Sequence, residues 1–70
     1  MEKEAVLRLL DELLEVPTGT LTGLENPKDW DSIMIICVMA LADERFNKQL
    51  AGLQISQAHT VNEVVDLLIG

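Results

Sequence analysis

Apolar positions recur at helical spacing in three stretches of the chain. Over residues 2–15, Val6, Leu9, Leu10 and Leu13 fall three and four apart and predict the inward stripe of an amphipathic helix. Leu7 and Leu14 widen that stripe. Glu4, Arg8, Asp11, Glu12 and Glu15 fall on the other side, the pattern of a solvated face. Arg8 has Glu4 and Glu12 at four-residue spacing, and such pairs contribute about 0.2–0.5 kcal/mol each. Pro17 drives Val16 out of helical geometry and stops the helix.

Residues 17–31 break every period. Gly19, Gly23 and Pro27, with Thr18, Thr20, Thr22 and Asn26, predict a long loop without secondary structure, and loops of this length are often functional. Leu21 and Leu24 are expected to tuck inward and hold the loop on the helices. Asp31 and Ser32, both favoured helix caps, stand before an apolar run that predicts a second helix over 32–46. Asn47 is its stop. A short helical turn is expected near Gly52–Gln57. Thr60-Val61-Asn62-Glu63 matches a capping box and opens a last helix over 61–69, with Val61, Val64, Val65 and Leu68 inward. The expected fold is all-α: a four-helix bundle of three main helices and one short one, with a long loop after the first.

Composition narrows this further. At 70 residues the chain is expected to be a single domain, too short for a two-lobed enzyme with a deep cleft. With one Phe, one Trp and no Tyr, the core must be aliphatic. The net charge of −7 repels phosphate backbones and anionic membrane surfaces, so no nucleic acid is expected as a partner. The longest apolar run, Ile33–Ala42, is too short for a membrane span, which needs about 18–20 residues. The single cysteine, Cys37, excludes an internal disulfide and fits a reducing compartment. The start, Met1-Glu2-Lys3-Glu4, lacks the pattern of a signal peptide, so a cytoplasmic location is the expectation, and a monomer is the expected state.

Chemistry concentrates at Trp30-Asp31-Ser32-Ile33. A serine in the first turn of a helix lies beside free backbone amides and the positive end of the dipole, a favourable place for a phosphate. The long loop before it leaves the hydroxyl open to another enzyme. No histidine is near in sequence to activate Ser32; His59 is the only one, and it reads as solvent-facing or locally bonded. No acid, base and nucleophile converge, so the chain is not expected to be an enzyme. The pattern fits a serine modified by another protein. The simplest other readings are structural: Ser32 and Asp31 as ordinary caps, Trp30 as a packing anchor, Cys37 as a small apolar side chain. Asp29 and Asp31 have calcium-loop spacing, but Ile33 and the missing glycine break that pattern.

Asp31-Ser32-Ile33 resembles the Asp-Ser-Leu/Ile attachment motif of acyl carrier proteins. The resemblance runs over essentially the whole chain, through the Ala42-Asp43-Glu44-Arg45-Phe46 end of the second helix and the Thr60-Val61 start of the last. The Trp-Asp-Ser form is similar to small stand-alone carriers of bacterial secondary pathways, including surface-polysaccharide clusters. The resemblance implies a 4′-phosphopantetheine arm on Ser32, transferred from coenzyme A by a holo-synthase (a phosphopantetheinyl transferase) with Mg²⁺. The arm would carry an acyl or aminoacyl group as a thioester to the enzymes that load and transfer it. It also implies that Asp31 is the motif acid recognised in loading, that Ile33 packs the motif onto the core, and that the second helix receives partners.

Two departures stand out. The family's glycine three residues before the serine is Asp29 here. The outward stripe of the second helix, acidic in fatty-acid carriers, reads Met34, Cys37, Ala40 or Leu41, then Glu44. With Ile33, these residues form the expected partner-docking face, and its apolar character implies partners that dock by hydrophobic contact. The alternative function is a carrier-like helical binding module that docks a partner without the arm.

Overall fold

A computed structural model describes residues 2–70, and the described residues form four α-helices and no strand. Helix α1 spans Lys3–Leu13, α2 Ser32–Phe46, α3 Gly52–Ser56 and α4 Val61–Ile69. The expected all-helical bundle with three longer helices and a short one is the observed architecture. The radius of gyration, 10.6 Å, is close to the value of about 11 Å for a compact chain of this length, so the long loop lies on the body.

Helix α1 ends earlier than the proline alone requires. Leu14 caps it and Glu15 turns left-handed at φ 59°. The Val16 amide then donates back to the Asp11 carbonyl at 3.0 Å and the Glu15 amide to Glu12 at 3.1 Å, which satisfies two end carbonyls. Helix α2 closes in a related way on left-handed Asn47, the expected stop. Helix α4 has the expected capping box: Thr60 accepts from the Glu63 amide at 3.3 Å and Glu63 accepts from the Thr60 amide at 3.0 Å. The His59 amide also donates to Glu63, and this bond holds the Glu63 carboxyl below its ordinary range.

The buried apolar side chains form one cluster. Val6, Leu7 and Leu10 enter it from α1, Val38 and Ala42 from α2, and Val61, Val64, Val65 and Leu68 from α4. Ile55 adds α3, and Leu21 brings the loop into the same cluster. Leu9 and Leu13, expected at the centre of the inward stripe, are only half-buried, and Leu7 takes the deeper place. The stripe is thus rotated toward Leu7 and Asp11.

The largest departure from the pattern is Asp11. Expected on the solvated face, it is 1% exposed. Its Oδ2 accepts from the Gly19 amide and its Oδ1 from the Leu21 amide, each at 2.8 Å. Arg8 turns toward it rather than toward Glu12: Arg8 Nε lies 3.3 Å from Asp11 Oδ2 and 3.7 Å from Glu4. Arg8 Nη2 donates to the Leu21 carbonyl at 2.6 Å. The carboxylate is buried because the loop covers it, and its charge is met by the guanidinium and two amides.

The loop is not structureless. Pro27–Asp29 form a 3₁₀ turn capped by the Asn26 side chain, which accepts from the Lys28 amide at 2.9 Å. Leu24, expected to tuck in, is 75% exposed. Backbone bonds to α4 hold this stretch instead: the Val61 and Asn62 amides donate to the Glu25 and Gly23 carbonyls, each at 2.8 Å. Gly23 is required here, because it is left-handed at φ 98° and a Cβ would overlap the Asn62 side chain.

Candidate functional site

The loop delivers its C-terminal end to the mouth of α2 along a nearly continuous track of hydrogen bonds. Glu25 accepts from the Thr22 and Gly23 amides, at 2.9 Å for each shorter contact. Burial of its carboxyl raises its pKa, but the Thr22 and Gly23 amides and the Thr22 hydroxyl outweigh that and hold it below the ordinary value of 4.5. The Asp29 and Trp30 amides close the 3₁₀ turn onto the Asn26 and Pro27 carbonyls at 3.2 and 3.0 Å. Pro27 is buried, and Trp30 is half-buried against the core cluster, the packing anchor expected of it. The two residues after Trp30 are Asp31 and Ser32.

Asp31 and Ser32 divide the two roles that the sequence left open between them. Asp31 is the N-cap: its Oδ1 accepts from the Met34 amide at 2.8 Å and its carbonyl from the Ile35 amide at 3.1 Å. Ser32 is the first helical residue and is exposed. Its hydroxyl is therefore spared from capping and faces solvent beside the Ser32 and Ile33 amides, which by helix geometry have no intrahelical acceptor. A phosphodiester on Ser32 Oγ would meet the positive end of a 15-residue helix there. The residues present fit a covalently held phosphate group.

The flanking face differs from the expected one. Ile33, expected to pack the motif onto the core, is 69% exposed. The reason is angular. Val38 and Ala42 are the buried positions of α2, and at about 100° per residue Ile33, Ile36 and Ala40 fall on the opposite side. Ile36, which the apolar run concealed, is 61% exposed. Met34, Cys37 and Leu41 are half-buried, so they form one flank of α2 and not its outermost stripe. Cys37, Leu41 and the exposed Glu44 line an open groove of about 400 Å³ against Leu9 and Leu13 of α1. Ile35 and Met39 form the other flank, where a Cβ added to Gly52 of α3 would touch both.

The His59 side chain is 87% exposed, with Nδ1 3.6 Å from Glu63. Among the described residues no three His, Cys, Asp or Glu side chains gather to hold a metal ion. No helix of the described residues is long and apolar enough to cross a membrane.

The sequence placed Asp31 and Ser32 at the start of α2, where the structure has them, and missed the burial of Asp11 and the exposure of Ile36. Ile36 was recoverable by setting the helical wheel of α2 against the residues that α1 and α4 leave room for. Asp11 had one local signal, an arginine three residues earlier on the same face. Comparison of the chain with family models, with curated proteins and with solved structures finds no match.

Proposed function

We propose that the protein is an acyl carrier protein, with 4′-phosphopantetheine joined to Ser32 by a phosphodiester. The observation that carries this reading is the division of labour at the mouth of α2. Asp31 caps the helix, so the Ser32 hydroxyl stands exposed at the end of an anchored loop, available to a second protein. The arm supplies a thiol that holds an acyl or aminoacyl group as a thioester. The chain's own part is to fix Ser32, offer Asp31 to the loading enzyme and present a face to partners. That face is Ile33, Ile36 and Ala40, flanked by Cys37 and ending in Asp43 and Glu44. Its centre is apolar, which favours partners with an apolar docking surface over purely basic ones. The bundle catalyses nothing itself and needs only stability and an accessible serine.

The test is direct. Incubation with a promiscuous holo-synthase, Mg²⁺ and coenzyme A, followed by intact-mass measurement, is expected to show the gain of one phosphopantetheine unit. Ser32→Ala is expected to show no gain. A folded wild-type chain that stays at its original mass sinks the carrier reading and leaves the arm-free binding module.

A further inference from the structure

We propose that Asp11, gripped by Arg8, is a positioning residue for the modification of Ser32: it seats the loop that sets where Trp30 and Ser32 stand. This rests on the carrier reading. The motif at Ser32 explains the end of the loop but not its beginning, where a carboxylate is 1% exposed and is spent on two loop amides and on Arg8. Asp11 takes the Gly19 and Leu21 amides, while Arg8 takes the Leu21 carbonyl, so both polar groups of Leu21 are held from α1. The Leu21 side chain is buried in the same cluster. The grip is therefore on backbone and side chain at once.

From Leu21 to Ser32 the chain has little slack. Thr22 and Gly23 are tied to Glu25, and Leu24 donates to the Thr22 hydroxyl at 3.2 Å. Gly23 and Glu25 are tied to α4 and residues 26–30 to the 3₁₀ turn, and Asp31 begins α2. The segment holds no floppy spacer, so the Leu21 seat and the α4 ties of Gly23 and Glu25 together fix where Trp30 and the mouth of α2 stand. Proper placement of a reacting hydroxyl matters steeply, since a shift of about 1 Å can cost on the order of a hundredfold in rate.

The experiment uses the full chain. Asp11→Asn keeps the shape but turns one acceptor oxygen into a donor facing an amide donor. In a variant whose far-ultraviolet spectrum shows the wild-type helix content, Trp30 emission is expected to move to longer wavelength. Loading by a holo-synthase with coenzyme A is expected to fall about ten- to a hundredfold in kcat at saturating carrier. A mere shortage of folded chain would raise the apparent KM and leave kcat in place. A folded Asp11→Asn chain that loads with wild-type kcat overturns the proposal. If that variant does not fold, Arg8→Gln replaces it: Asp11 keeps its two amides, and only the guanidinium is lost. A smaller fall in kcat with the same emission shift is expected, and wild-type kcat there overturns the proposal equally. A wild-type chain that fails to load, while Trp30 still moves in the variant, sinks the carrier reading and not the seating of the loop.

Discussion

In α1 a carboxylate, Asp11, is buried to 1% exposure, while in α2 two isoleucines, Ile33 and Ile36, stand 69% and 61% exposed. Helix α1 has a clean amphipathic pattern, and α2 is apolar nearly all round. Neither pattern says where the exceptions lie. In α1 the exception is made by a covering element: the loop brings amides and a carbonyl that solvate Asp11 and Arg8 in place of water. In α2 the exception is made by a missing one: α1, α3 and α4 cover the other sides of the helix, and among the described residues no element covers the Ile33–Ile36–Ala40 side. The buried charge thus follows from the path of the loop, and the exposed apolar groups from the packing of the other three helices.

The largest effect should come from removing the buried carboxylate. Asp11→Ala leaves the buried Leu21 amide, the part-buried Gly19 amide and the Arg8 guanidinium without this partner, and breaking such a set costs about 3–5 kcal/mol. Its neighbour Glu12 is exposed, so Glu12→Ala should move stability by less than about 0.5 kcal/mol. Urea denaturation of both variants measures the difference. Equal midpoints would return Asp11 to the solvated face that the sequence pattern assigned to it.

The reverse experiment belongs to α2. Val38→Ala removes two buried carbons from the core and should cost about 2 kcal/mol. Ile36→Ala removes more apolar mass two residues away and should cost under about 0.5 kcal/mol, because that side chain already faces water. The same urea titration decides the order. A larger loss at Ile36 than at Val38 would show that something covers the outward face, and the proposed apolar docking surface would lose its basis.

Legibility in the sequence follows the range of the interactions involved. The capping box of α4, the Asn47 stop, Asp31 and Ser32 at the start of α2 and the short α3 depend on neighbours within four residues, and local pattern carries them. The burial of Asp11 depends on amides eight and ten residues away, and the exposure of Ile33 and Ile36 on how three other helices pack. Leu24 shows the limit from the other side. Its hydrophobicity pointed inward, but the backbone around it is fixed by Gly23 and Glu25 on α4, and that fixes the side chain outward. Composition narrowed the core to aliphatic residues, and the observed cluster contains only Val, Leu, Ile and Ala at its buried positions.

The smallest effect sharpens the contrast between a buried and an open carboxylate. Glu25 does for residues 22 and 23 what Asp11 does for residues 19 and 21, accepting two loop amides, but it is only half-buried. Its folded pKa is depressed below 4.5, so the ionised form is favoured by the fold. The sign follows from linkage: the unfolded chain takes up the proton first as the pH falls, so the contribution is fully present above the unfolded value. It is lost as the pH drops through the folded one. Solvent screens this carboxylate, and the contribution should stay well under about 1 kcal/mol. In Glu25→Gln the stability deficit relative to wild type should therefore be small at neutral pH and shrink below about pH 4.5. Urea midpoints of the two chains from neutral to acid pH measure it. A deficit that is large, or that grows on acidification, would mean that Glu25 anchors the loop as firmly as Asp11, and the loop would then have two principal seats.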